Sequence, residues 1–516
     1  MTEDRYAHKY AIAIAVTLAT VLEIIDTSIV NVAIPHMMGN LGATVDEITW
    51  VSVGYIIANV IVIPMSSWLS AYFGRKRYLA GSIALFVVAS FFCGTATSLG
   101  SLVFWRVVQG TGGGALLSVS QATLFEAFPP SEVVIGQAMF GIGVMVGPTL
   151  GPTLGGWITD NYNWPWIFFI NVPLGIIAFL MVVAYVKDSV HQVRASTVDV
   201  LGMVLLTIAV GSLQWMLERG ERFDWFESRF VTVLLVTFVT STLLLIWREM
   251  SIDEPIIDFR VLRSRQLATS VVFAGMLGLS LFGGVFVLPI FLQSLHGLTA
   301  QQTGIALLPG ALASAFVMGL VGRFRAKIDA RPSIVIGALL FAYSQVMLSR
   351  MTLASGADET FIPLILRGFG LGLIFVPLTS AAMAETSFRD LPQATALFNL
   401  MRQLGGSLGI ATMATLLGRF TAANKAMLTE HVGAIDLLTR QRVDQLTQGL
   451  MARGVNALVA KQQALAVIDR QIGAQASVIA FSRIYLLTGV LLCGSLPLLL
   501  LWKTGRARQT GPSLDH

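Results

Sequence analysis

Long apolar runs separated by short polar ones set the pattern of this chain. A membrane-crossing helix needs about 20 mostly apolar residues, and about fourteen stretches qualify. The first six cover residues 10–34, 50–72, 78–97, 101–125, 133–158 and 164–186. Two more follow, 198–217 and 230–247. The last six cover 267–295, 303–321, 332–351, 361–384, 394–417 and 479–502. Lys and Arg gather in alternate connections: Arg75-Lys76-Arg77, Lys187 with Arg194, Arg248 to Arg265, Arg323 to Arg331, and Lys503 to Arg508. Arg219, Arg222, Arg229 and Arg350 are exceptions in the opposite connections. Basic residues collect in cytoplasmic loops, so the alternation predicts an even number of spans with both termini in the cytoplasm.

Residues 418–478 interrupt the pattern. They are too polar to span, and their register puts them outside. Segments 437–450 and 455–472 space apolar residues at helical intervals among Gln, Arg and Lys, which predicts amphipathic helices. A solvated loop is the alternative reading of that composition. At the start, residues 1–10 are short and polar, and no small-residue cleavage site follows. The first apolar run is therefore expected to stay as a membrane helix.

Composition narrows the class. The chain has 516 residues, 55% hydrophobic and 12% charged, against about 25% charged in a soluble protein. A soluble chain of this length needs several cores and a large polar surface, so most of this surface is expected to face lipid. The net charge of +5 is spread over short connections without a basic, aromatic-interleaved stripe, which argues against nucleic acid as a partner. Cys93 and Cys493 both sit inside apolar runs and read as small hydrophobes, with no disulfide framework. The six histidines are scattered without metal-ligand spacing. No phosphate-binding loop or nucleophile elbow is present. No metal, cofactor or catalytic constellation is expected, and ATP is not the expected energy source.

Charged groups inside the membrane are costly and mark function by default. Glu23 and Asp26 lie three residues apart on one face of the first span. Two carboxylates this close in a low dielectric cannot both ionise easily. A carboxyl that takes up and gives up a proton can couple a proton gradient to movement, and Asp26, with Glu23 beside it, is the expected coupling group. The bland reading is that one of them pairs with Arg106 of the fourth span to hold the bundle together. Arg106 either tunes the acids or anchors a helix by bonding backbone carbonyls. Arg367, Arg402 and Arg483 are the other arginines in or near apolar spans. Asn399, Arg402 and Gln403 form a polar cluster in the thirteenth span, either lining a cavity or fixing helix packing. Asn31, Gln109 and Gln121 are further candidates for a substrate cavity, while Tyr55, Asn59 and Gln293 read as interhelical hydrogen-bond partners.

Several stretches resemble the major facilitator superfamily. The connection after the second span, Ser67-Trp-Leu-Ser-Ala-Tyr-Phe-Gly74-Arg75-Lys76-Arg77, resembles the signature G-x-L-a-D-r-x-G-r-k. Ser67 stands where the signature has Gly and Ala71 where it has Asp, so the charge relay resting on that Asp does not carry over. Gly74, Arg75 and Lys76 remain as a conformational gate loop. Leu102-Val-Phe-Trp-Arg106-Val-Val-Gln109-Gly110 is similar to the motif l-x-x-x-R-x-x-q-G, which links Arg106 to proton movement. Gly143, Gly147, Pro148, Gly151, Pro152, Gly155 and Gly156 resemble the antiporter motif g-x-x-x-G-P-x-x-G-G, which marks exporters. Small residues four apart make a groove for a neighbouring helix, and Pro bends the span. Leu22 to Pro35 resembles the first-helix motif of fourteen-helix drug:proton antiporters. The stretches WPWIFFINVPLG at 164–175 and GSLQWMLERGERFDW at 211–225 look like a Gram-negative multidrug-exporter branch of that family.

The resemblance implies an all-α major facilitator fold of two six-helix bundles with two inserted central helices. Residues 1–190 form the first bundle, 191–262 the inserted pair and linker, and 263–516 the second bundle. The outer segment 418–478 lies before the last helix. Proton-coupled efflux of lipophilic drugs by alternating access is the expected function, in a bacterial inner membrane. The expected partners are protons, the lipid bilayer, a lipophilic substrate, a periplasmic membrane-fusion adaptor and an outer-membrane channel. The rival readings are a dedicated exporter of one endogenous compound, such as a siderophore or fatty acid, and a receptor or scaffold that moves nothing.

Overall fold

The computed structural model describes residues 8–188, 199–252, 254–324, 329–432 and 437–502. Every described element is helical. The long helices are α1 (Lys9–Leu41), α2 (Trp50–Phe73), α3 (Arg75–Gly94), α4 (Leu99–Ala127), α5 (Val133–Asn161) and α6 (Asn171–Tyr185). A short turn, Trp166–Phe169, leads into α6. Next come α7 (Val200–Arg219) and α8 (Arg229–Ser251). The remainder are α9 (Arg265–His296), α10 (Ala300–Arg323), α11 (Ala330–Leu348), α12 (Phe361–Met383), α13 (Leu391–His431), α14 (Leu437–Met451) and α15 (Ala457–Gly494).

Each predicted span falls on one of these helices. Twelve of the described helices are long and apolar enough to cross a membrane. The other two predicted spans lie on α4 and α13, which are 29 and 41 residues long. Their inward faces carry Arg106, Gln109, Gln121, Asn399 and Arg402, all buried. Polar residues in the bundle interior lower a helix's mean hydropathy without taking it out of the bundle. Outward faces are apolar and exposed, as at Leu180, Leu243, Trp247 and Leu312. This inversion of the soluble pattern is what a lipid solvent requires.

In the first half, α1 packs on α4, α5 and α6, while α2 and α3 pack on α4. In the second half, α9 packs on α13, α10 and α11 pack on α12, and α15 packs on α11 and α13. The halves meet along two seams. One joins α5 to α10, and the other joins α2 to α13. The pair α7–α8 leans on the second seam through α2 and α13. Gln214 there donates to Ser407 Oγ at 2.9 Å, and Trp225 Nε1 to Thr415 Oγ1 at 3.0 Å.

Within 418–478 the expected helix at 437–450 is α14, and the one at 455–472 is the first part of α15 rather than a separate helix. α13 runs on to His431, and α15 begins at Ala457 and continues unbroken into the last apolar stretch. Residues 419–431 hold neither Pro nor Gly to stop the helix. The two extensions pair outside the apolar region. Lys425 Nζ sits 2.8 Å from the Asp469 carboxylate, and Asn424 donates to the Ala476 carbonyl at 3.1 Å. α14 covers this hairpin by packing on α15. Of the basic positions that predicted orientation, Arg194, Arg325, Lys327 and the run from Lys503 to Arg508 lie outside the described residues.

Candidate functional site

The centre of the first half is a charge network around Asp26, which is 0% exposed. Arg106 on α4 donates through Nη1 to Asp26 Oδ2 at 2.5 Å. Its Nε donates to the Val51 carbonyl at 3.0 Å. The contacts to an acid and to a backbone carbonyl are thus made by different nitrogens of one guanidinium. The other Asp26 oxygen accepts from Gln109 Nε2 at 2.9 Å and Asn171 Nδ2 at 2.8 Å. Ser90 Oγ accepts from both amides, at 2.6 and 3.1 Å. The Tyr55 ring lies 4.1 Å from the guanidinium carbon and the Phe168 ring 5.6 Å. A buried ion pair stands only if its remaining hydrogen-bonding groups are met, and here α1, α2, α3, α4 and α6 all contribute.

Glu23 is treated differently. It is 6% exposed and one turn before Asp26. Asn59 on α2 donates to its Oε1 at 3.1 Å. It is close enough to Arg402 of the second half for the two charges to interact. The face that carries both acids therefore splits them. Asp26 is tied to Arg106, Gln109 and Asn171, while Glu23 holds one amide bond, to Asn59 of the seam helix α2.

On the far side of the seam α13 presents Asn399 and Arg402. Asn399 Nδ2 donates to Gln121 Oε1 on α4 at 2.6 Å, a direct bond between halves. Gln121 in turn donates to Gln137 Oε1 on α5 at 3.3 Å. Arg402 is 3% exposed and its guanidinium carbon lies 5.8 Å from the Phe282 ring. Its Nε has no partner. Gln403, one residue on, turns about 100° away on the helix and is half-buried. Asn31 is exposed in the second half of α1, where it accepts from Ser52 Oγ at 3.3 Å, and it takes no part in this cluster.

The glycine motif of α5 forms a groove, and α1 lies in it. A Cβ at Gly143, Gly147, Gly151 or Gly155 would come within 2.6, 2.7, 1.8 and 2.9 Å of Thr17, Ile24, Ser28 and Ile29. Gly156 faces the other way, where a Cβ would fall 3.2 Å from the Gln301 backbone nitrogen of α10. Pro148 and Pro152 lie inside α5 between these contacts. One helix thus carries the acids of α1 on one face and a seam contact on the other.

The turn between α2 and α3 has Gly74 at φ +89°, a left-handed conformation that favours glycine. Arg75 pairs with Glu126 at the end of α4, 2.9 Å apart and buried. Asp188 after α6 accepts from the Lys76 backbone N–H at 3.0 Å. These two acids meet the basic turn although Ala71 has replaced the signature Asp. Sequence reading missed Glu126 and Asp188 because their pairing joins residues 51 and 112 positions apart. It also missed Ser90 and Asn171, small polar groups in apolar runs that gain meaning only against Asp26.

Comparison with known proteins agrees with this architecture. The family model described as Major Facilitator Superfamily matches residues 16–410. The chain belongs to the major facilitator superfamily. This major facilitator is therefore a multi-pass membrane transporter. It is 34% identical over 475 residues to the multidrug export protein EmrB of Escherichia coli strain K12, covering 92% of this chain and 91% of that one. It is 30% identical over 493 residues to the fatty acid resistance protein FarB of Neisseria gonorrhoeae, covering 95% and 96%. Among solved structures, the human organic anion transporter MFSD10 superposes with a TM-score of 0.59 at 13% identity, covering 94% of this chain and 99% of that one. At that identity the likeness is one of fold.

Proposed function

We propose that the protein is a proton-coupled exporter of lipophilic compounds that works by alternating access. The observation that carries this reading is the unequal treatment of the two acids on α1. Asp26 is saturated by Arg106, Gln109 and Asn171. Glu23 holds one amide bond, to Asn59 of α2, the helix that meets α13 at the seam. A carboxyl at the seam can change its proton occupancy as the halves rearrange, and a ligand biases two states only through differential affinity. In this reading Glu23 carries the coupling proton, and Asp26 with Arg106 is the fixed charge beside it. The relatives named for multidrug export and fatty acid resistance support an efflux direction, as does the glycine-proline motif of α5.

The reading includes fourteen spans, with α4 and α13 crossing beside the twelve more apolar ones, and α7–α8 inserted between residues 1–190 and 263–516. Both termini are then cytoplasmic in a bacterial inner membrane. The helical projection of α13, α14 and α15 faces the periplasm, where an adaptor leading to an outer-membrane channel would meet it. A gate at Gly74, Arg75 and Lys76 opens and closes the cytoplasmic side.

Purified protein in proteoliposomes with an imposed proton gradient tests the reading on a panel of cationic, neutral and anionic fluorescent lipophiles. Gradient-driven movement of several probes that disappears in Glu23→Gln, with the fold intact, is the expected result. Movement unchanged in that variant but lost in Asp26→Asn assigns the proton to Asp26. Failure of the wild type to move any probe sinks broad efflux and favours a dedicated exporter of one compound.

A further inference from the structure

The two halves repeat one another closely enough to be matched position against position. On α4 a Cβ at Gly110, Gly112 or Gly114 would meet Tyr55, Phe86 and Val62; on α12 one at Gly368, Gly370 or Gly372 would meet Gly310, Phe341 and Val317. Gln109 precedes Gly110 and Arg367 precedes Gly368, so Arg367 stands where Gln109 does. Ser90 follows Phe86 by one turn of α3, and Gln345 follows Phe341 by one turn of α11. Gly175 on α6 lies against Val87 and Gly489 on α15 against Ala342, which matches Asn171 with Tyr485, each one turn earlier. Helices α1 and α9 each end at a left-handed glycine, Gly42 and Gly297, shortly before a capping threonine. In the first half Gln109, Ser90 and Asn171 converge beside Asp26 of α1. Their counterparts Arg367, Gln345 and Tyr485 converge in the same way beside α9.

What the second half lacks is the acid. Helices α9, α10, α11 and α12 contain no Asp or Glu, and those of α13 and α15, Glu430 and Asp469, lie on the outer hairpin. Asp358 and Glu359, in the turn before α12, are exposed. Arg367 is 8% exposed and makes no hydrogen bond or ion pair among the described residues. The one titratable group that acts on its charge is Tyr485. The Gln345 amide is fully buried, and neither its Nε2 nor its Oε1 has a partner. The Tyr485 hydroxyl is buried and unpartnered too. A Cβ at Gly284 of α9 would stand 3.4 Å from Gln345 Nε2, so that amide nitrogen meets a residue with no side chain to accept from it. Leu364, one turn before Arg367, and Leu348, one turn after Gln345, share a buried cluster with Tyr485 and Phe291, which leaves room only for something small. A buried charge without a counter-charge, or a donor without an acceptor, is costly. An arginine and two neutral donors among acid-free helices call for an anion.

We propose that Arg367, Gln345 and Tyr485 hold a small monovalent anion, a halide or a carboxylate, in the core of the second half. There it does for Arg367 what Asp26 does for Arg106 in the first half. Arg367 supplies the opposite charge, and Gln345 Nε2 and the Tyr485 hydroxyl supply neutral donors, as Gln109 and Asn171 do for Asp26. The first half neutralises its buried arginine with a residue of its own, and the second does so with a bound ion. The ion ties α11, α12 and α15 together through one of these groups from each helix. The site is enclosed within one half and lies on neither seam, so it carries no proton and does not depend on the export reading.

Chloride and acetate are the probes, added to the full-length protein purified in detergent and exchanged into sodium gluconate. The protein is expected to broaden the chloride NMR line, and Arg367→Gln to reduce that broadening severalfold, with partial recovery in Arg367→Lys. Gln345→Glu brings an internal carboxylate to the arginine and is expected to reduce the broadening as far. Reversal by acetate marks a site that accepts carboxylates, and persistence in acetate marks one that selects the halide. At constant ionic strength the probe that binds is expected to raise the thermal unfolding midpoint of the wild type and to leave that of Gln345→Glu unchanged, which a merely structural arginine would not produce. Equal broadening in the wild type and Arg367→Gln means an adventitious ion only and overturns the proposal. So does a wild type that neither broadens the chloride line nor gains stability from either anion. Should Arg367→Gln fail to fold, a folded Gln345→Glu with undiminished broadening overturns it. No arm reads transport, so failure of the export reading leaves this site standing.

Discussion

Side by side on one helix face, Asp26 and Glu23 illustrate how burial alone does not define a role. Asp26 is the partner without which Arg106 is an uncompensated charge among apolar helices. Replacing it by Ala is expected to cost about 3–5 kcal/mol of stability, the range for breaking a buried pair. Thermal or denaturant unfolding of the purified protein in detergent measures this. Removing both partners in Asp26→Ala/Arg106→Met is expected to cost less than the sum of the single changes, because the stranded charge goes with its partner. Glu23→Gln keeps the shape and an acceptor for Asn59, so its stability change is expected to stay within about 1 kcal/mol while coupled transport is lost. A stability loss in Glu23→Gln as large as that of Asp26→Ala would contradict the division of labour between them.

At the scale of elements, glycine decides which helices touch. In α5 it opens the groove for α1, and Gly151→Ala would put a methyl 1.8 Å from Ser28 Oγ. The helices must separate or Ser28 must turn, with an expected cost of about 1–3 kcal/mol and a matching loss of transport. Gly81 on α3 has nothing within 4 Å of where a Cβ would stand. There Gly→Ala is expected to be neutral or to stabilise by up to about 1 kcal/mol. Unfolding of the two variants side by side checks both signs. The second half uses the same device without an equally recognisable motif. A Cβ at Gly405 would fall 2.0 Å from the Gly275 carbonyl, and one at Gly409 would fall 2.3 Å from that of Leu279. These glycines draw α9 against α13 and fix the helix that carries Arg402.

For the whole molecule, function depends on how two halves meet along α5–α10 and α2–α13. Near the end of α5 a Cβ at Gly156 would stand 3.3 Å from Gln301 Cβ on α10, close to disulfide range. Gly156→Cys/Gln301→Cys is expected to cross-link under oxidation, abolish transport, and regain it on reduction. Cross-linking without loss of transport would show that this end of the seam stays closed through the cycle. The pair α7–α8 bonds to Ser407 and Thr415 of α13, and Arg219 Nη2 donates to Thr49 Oγ1 before α2. It therefore spans the second seam rather than lying loose beside it.

The placement of apolar runs, and the class of protein, were legible in the chain because hydrocarbon imposes one rule on every span: about 20 apolar residues with their backbone bonded internally. The glycine spacing of α5 was legible for the same reason, since a groove is a local property of one helix. Which residues share a site was not. Asp26, Ser90, Arg106, Gln109 and Asn171 converge from separate helices, and no period along the chain relates them. Asn31 and Arg402 looked alike as polar interruptions of apolar runs, yet one ends exposed and the other buried at a seam. The continuation of α13 and α15 beyond the apolar region was also decided by packing, because each extension is stabilised by the other rather than by its own composition. Sequence alone fixed the solvent this protein lives in; only the tertiary arrangement decided which of its few charges are tied down and which are left facing the opposite half.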